Sequence, residues 1–135
     1  MSTSASPLGR AWWIPRLAAA AILGQTLVFK FSGAPESVHI FEALGAEPVG
    51  RIGSGVVELA CVVLLLAPLG RRALALGGLL TAGTMAGAVV AHLTRLGVEV
   101  QGDGGLLFGL ALVTLLCGLA VAWRTRGALP LPGRG

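Results

Sequence analysis

Glu58 stands in the run GSGVVELACVVLLLAPLG, residues 53–70, where nearly every other side chain is apolar. A carboxylate at depth in hydrocarbon costs about 2.5 kcal/mol or more unless it is paired or protonated. Its partner is therefore the first question. Lys30 and His92 also fall near the ends of apolar runs. A carboxylate near an imidazole can pass protons, which makes Glu58 and His92 the candidate catalytic pair. A lysine and a histidine at the edge of an apolar cleft can hydrogen-bond the carbonyl oxygens of a quinone, its tail lying between helices. Lys30, Gln25 and Met85 are the candidate residues for holding such a cofactor.

Helical spacing sorts these residues by face. Ser54, Glu58 and Cys61 share one stripe, and Thr81, Met85, Ala88 and His92 share another. Thr26 and Lys30 are four apart and look the same way, whereas Gln25 is about 140° round the helix from Lys30. Glu58 lies about eight residues into its apolar run, or ~12 Å along the axis. Lys30 and His92 close neighbouring runs at a comparable depth. By depth they are its expected partners, and the purely structural alternatives are an ion pair, a snorkelling lysine and a histidine bonded to a backbone carbonyl.

Positioning these groups requires membrane helices. Hydrophobic residues make up 55% of the 135-residue chain and charged residues 12%, about half the charge of a soluble domain. Mean hydropathy is +0.85. A soluble fold of this size has too little core to hide that apolar surface. Four segments approach the ~20 residues that a crossing helix needs: 14–31, 50–67, 73–96 and 104–123. Period-two alternation is absent, which disfavours a barrel. The expected fold is an all-α integral membrane four-helix transmembrane bundle. Its parts are an N-terminal tail (1–13), a membrane domain (14–124) and a C-terminal tail (125–135). The first segment also has features of a cleaved signal peptide, ending in Ser32-Gly33-Ala34. Gln25, Lys30 and Pro35 argue for an uncleaved span.

Charge sets the expected orientation. Arg10, Arg16, Arg71, Arg72, Arg124, Arg126 and Arg134 fall on one side, and the other collects Lys30, Arg51 and Arg95 together with Glu36, Glu42, Glu47, Glu99 and Asp103. The positive-inside rule places both termini in the cytoplasm, with Trp12, Trp13 and Trp123 at that interface. A bacterial-type inner membrane is the expected location. Between the first two spans, Val38, Phe41 and Leu44 recur every three residues, with Glu42 and Glu47 on other faces. That pattern predicts a short amphipathic outer helix stopped by Gly45, whose Phe41 face would meet a protein partner. Gly83-x-x-x-Gly87 and Gly105-x-x-x-Gly109 are expected to let helices pack closely.

The remaining chemistry is thin. The basic residues sit singly or in pairs, which does not make a nucleic-acid stripe. Cys61 and Cys117 lie far apart inside apolar runs and read as small buried hydrophobes. No CxxC, phosphate loop or dinucleotide fingerprint occurs, so no metal or nucleotide is expected.

Lys30 after the first span, FEALG, GVVEL and MAGAVVAHL stand in an order that resembles the DoxX and DoxX-like membrane proteins. The matching positions are Lys30; Phe41, Leu44 and Gly45; Gly55 and Glu58; and Met85, Gly87, Ala88 and His92. The resemblance spans roughly residues 15–124. It implies four helices and a subunit of a quinone-linked redox system, either facing the quinone or anchoring a partner that carries the soluble active site. Relatives of this architecture that handle thiols use paired cysteines, which this chain lacks. Alternative readings are a non-enzymatic scaffold or assembly partner and a small oligomeric transporter or proton pathway. The lipid bilayer and a protein partner or second copy are the expected contacts.

Overall fold

The computed structural model describes residues 9–129, which are all-helical. Four helices are long and apolar enough to cross a membrane. They are α1 (Trp13–Ser32), α3 (Val49–Leu66), α4 (Arg71–Ala91) and α5 (Leu106–Thr125). The fifth, α2 (Pro35–Ala43), is the short helix expected between the first two spans. These bounds match the expected spans within a few residues, except that the third ends in a π-helical turn over His92–Leu96. Residues 1–8 of the expected N-terminal tail and 130–135 of the C-terminal tail lie outside the described residues. The described part of the latter forms a 3-10 turn, Arg126–Ala128, followed by buried Leu129.

Local signals explain the boundaries. Gly33 ends α1 in the left-handed region at φ 68°, and Pro35 opens α2 at a position where its missing N–H costs nothing. Leu44 caps α2, and Gly45 turns the chain at φ 69°. Residues 67–70 link α3 to α4 in so few steps that the two must run antiparallel. Asp103 starts α5, accepting from the N–H groups of Gly105 at 2.8 Å and Leu107 at 3.0 Å.

The chief contacts join α1 to α3, α3 to α4, α4 to α5 and α5 back to α1. Ala19, Leu23, Cys61, Leu65, Leu74, Met85, Ala111 and Val121 form the shared core. Outward faces are apolar too, among them Ile14, Val28, Val56, Val63, Leu112 and Leu116, as hydrocarbon contact requires.

Close approach uses glycines other than the expected ones. A Cβ at Gly78 would lie 2.7 Å from Ala122 N, and one at Gly118 would lie 2.9 Å from Ala82 N, so α4 and α5 touch backbone to backbone. Gly77 does the same for α3, where a Cβ would come within 2.8 Å of Leu64 Cβ. Gly83, Gly87 and Gly109 have open space where a Cβ would stand. The expected close packing at Gly83-x-x-x-Gly87 does not form, because α4 turns those two away from its neighbours and Gly77 and Gly78 toward them.

Candidate functional site

Glu58 is 2% exposed, on the α3 face that meets α1. One carboxylate oxygen, Oε1, pairs with Lys30 Nζ. Thr26 Oγ1 lies 2.7 Å from Oε2 and 2.8 Å from the Leu23 carbonyl. That hydroxyl has one proton for two acceptors, so its bond is shared. The arrangement accommodates both protonation states. A proton on Oε2 would be donated to Thr26, whose own proton would then serve Leu23. The four-residue step from Thr26 to Lys30 stacks both donors over Glu58, as their common face predicts.

A second layer covers the pair. The Lys30 ammonium lies 5.5 Å from the centroid of the Phe41 ring of α2, within cation–π range. Arg51, near the start of α3, donates from Nε to both Glu47 oxygens, at 2.8 and 2.9 Å, and from its NH1 group to the Lys30 carbonyl. That carbonyl belongs to the last turn of α1, where intrahelical partners run out. Gly55 makes room for the Phe31 ring, which a Cβ there would meet at 2.8 Å. Lys30, Phe41, Arg51 and Glu58 thus fasten α1, α2 and α3 together at one end.

His92 does not join this group. Its Nδ1 lies 2.9 Å from the Gly97 carbonyl, while the Gly97 N–H donates to the His92 carbonyl at 2.7 Å. The ring meets Phe108 edge-on, centroids 5.5 Å apart. Similar depth suggested a Glu58–His92 pair, but the ring meets Phe108 of α5 and the Gly97 carbonyl, which the π turn after it brings back within reach. Gln25 is exposed on the outer face of α1, as the 140° offset allows, and stands away from Glu58. Met85 is buried in the apolar core with Cys61. Cys61 is buried, and Cys117 is only half-buried. Phe41 faces Lys30 and Gly50. The exposed residues of α2 are Pro35, Glu36, His39, Glu42 and Ala43.

At the opposite end the structure holds a residue that sequence placed at the rim. Arg16 is 3% exposed. Its Nε donates to the Leu65 carbonyl at 2.7 Å, and its guanidinium carbon lies 3.6 Å from the Trp13 ring centroid. Its NH1 group is buried with no hydrogen-bond partner. Thr81 Oγ1 is likewise buried, beside the Cys61 thiol. The only sequence signal for Arg16 was its position inside the first apolar run, three residues after Trp13.

In the α4–α5 link, outside the apolar spans, the N–H of Leu107 and then those of Val100 and Gly105 hold the Asp103 carboxyl below the usual carboxylate range. No family model, no curated protein and no solved structure matches the chain.

Proposed function

We propose that this chain is a DoxX-like subunit of a bacterial-type cytoplasmic membrane that anchors a partner of a quinone-linked redox system. In this reading the helices form a bundle with both termini in the cytoplasm, and α2 lies on the outer surface. The observation that carries the anchoring role is the saturation of Glu58. Both its oxygens are engaged, by Lys30 and Thr26, and the residue is closed from solvent. A carboxylate held this way acts as a pin between helices rather than as a free base waiting for substrate. The pin fixes α2 through Phe41 and leaves Glu36, His39 and Glu42 facing outward. That acidic face is where a soluble partner domain would dock.

A quinone-facing role rests on a different observation. The Lys30 ammonium has three protons, and its side chain keeps 15% of its exposure at the edge of the α1–α3 seam. A proton not given to Glu58 can be donated to a quinone carbonyl from there. Phe29 and Phe31, both exposed, flank that edge.

The two roles separate in one preparation. Organic extracts of the purified chain are searched for quinone by mass spectrometry, and the membrane is crosslinked before solubilisation to capture partners. The anchoring role expects crosslinks that are lost on E36Q/E42Q and no quinone enrichment over a K30M control. Quinone at near one per chain, absent from K30M, would replace it with the quinone-facing role.

A further inference from the structure

All six acidic residues of the chain stand at the α2 end: Glu36 and Glu42 on α2, Glu47 and Glu58 at and after the start of α3, Glu99 and Asp103 in the α4–α5 link. The other end is where α4 starts and α5 stops, and there the described residues supply arginine without any acidic side chain. Arg71, Arg124, Arg126 and Gly127 line a cavity of about 240 Å³ between these two helix termini. Only two hydrogen bonds within the described residues draw on its guanidinium groups: Arg71 donates to the Arg124 carbonyl at 3.1 Å and Arg126 to the Trp123 carbonyl at 2.6 Å. Each guanidinium has five N–H donors, so most remain for a ligand.

Three further features give the ligand its sign and its depth. The α4 N-terminus opens on Gly70, with no side-chain cap and no acidic residue in its first turn, so the positive end of its dipole is unopposed. Among the described residues no carboxylate pairs with these three like charges, and a bound anion would relieve their mutual repulsion. Arg126 stacks on Trp123, its guanidinium carbon 3.9 Å from the ring centroid, and that indole is 67% exposed. An exposed indole at the end of an apolar helix sits at headgroup level.

We propose that the Arg71–Arg124–Arg126 cavity cradles the phosphate of an anionic phospholipid headgroup. Planar guanidinium forks match phosphate oxygens bidentately, and a basic recess between membrane helices at interface depth suits a lipid better than a solute. The lipid ties the start of α4 to the end of α5, the pair that already touches at Gly78 and Gly118.

The test is native mass spectrometry of the full chain in detergent, titrated separately with phosphatidylglycerol, phosphatidylcholine and inorganic phosphate. One phosphatidylglycerol is expected to bind at concentrations where phosphatidylcholine does not. R71Q/R124Q should weaken it about tenfold or more, while R10Q/R72Q, which removes equal charge from the same end, changes it less than about threefold. R71K/R124K keeps the charge and loses the forks, so it should also bind more weakly; it carries the test if the glutamine pair does not fold. Equal binding of phosphatidylcholine, equal loss in both glutamine pairs or unchanged binding by the lysine pair overturns the proposal. Displacement of the lipid by millimolar inorganic phosphate overturns the lipid as ligand in favour of free phosphate.

Discussion

Arg51 and Arg16 make the same kind of contact at opposite ends of the α1–α3 pair. Each stands near the start of its own helix and donates to a carbonyl in the last turn of its antiparallel neighbour: Arg51 to Lys30, Arg16 to Leu65. A cation at a helix C-terminus satisfies an orphan carbonyl and opposes the negative end of the dipole. The surroundings then diverge. Arg51 also has the Glu47 carboxylate and sits above the Lys30–Glu58 pair, so charge is matched by charge. Arg16 has a carbonyl, an indole face and one N–H group with nothing to receive it. A reciprocal cap can therefore be built with or without a counter-ion.

The contrast makes graded expectations. E58A strands the Lys30 ammonium beside a hole, and breaking a buried pair in this way costs about 3–5 kcal/mol. Thermal unfolding in detergent should register it as the largest single loss. In K30M/E58M no charge is left behind, so the double variant should be more stable than E58A alone. Additive losses in that cycle would show that the pair is not coupled.

R16M should cost less, about 1–2 kcal/mol, since it removes one carbonyl bond but also the orphaned N–H. A loss as large as that of E58A would erase the difference between the ends. T26V, which takes one shared proton from Glu58 and leaves Lys30 in place, is expected to cost about 1 kcal/mol in the same assay.

The smallest effect is a pH dependence at the acidic end. The lowered carboxyl of Asp103 contributes stability that is fully present above the ordinary Asp pKa of about 3.9 and is lost as pH falls through its folded value. D103N should flatten the melting temperature between pH 5 and pH 3, roughly the span in which that carboxyl titrates in the unfolded chain. An unchanged slope would assign the acid sensitivity to other carboxylates.

Much of this was legible in the chain. Apolar run length gave four membrane-length helices, Val38-Phe41-Leu44 gave α2, and the step from Thr26 to Lys30 gave the two donors that Glu58 uses. Glu58 itself was conspicuous because a carboxylate in an apolar run has to find a partner. His92 misled because depth says nothing of direction. The face of α4 that carries it looks toward Phe108, and the π turn that follows brings the Gly97 carbonyl to its ring. Gly83 and Gly87 misled for a related reason. The i, i+4 spacing marks a smooth stripe but not which neighbour it meets, and the contacts fall on Gly77, Gly78 and Gly118.

Sequence by itself determined the quantities that add along a single helix: length, apolarity, the faces shared by residues three or four apart, and the gathering of the acidic residues toward one end. Tertiary structure alone decided which faces meet. That choice made Arg16 a buried cap instead of a rim charge, gave Glu58 to Lys30 instead of His92, and gathered Arg71, Arg124 and Arg126 around one cavity. The physical reason is that helix rotation and pairing are set by side-chain fit across four interfaces at once, and no single stretch of the chain contains both sides of an interface.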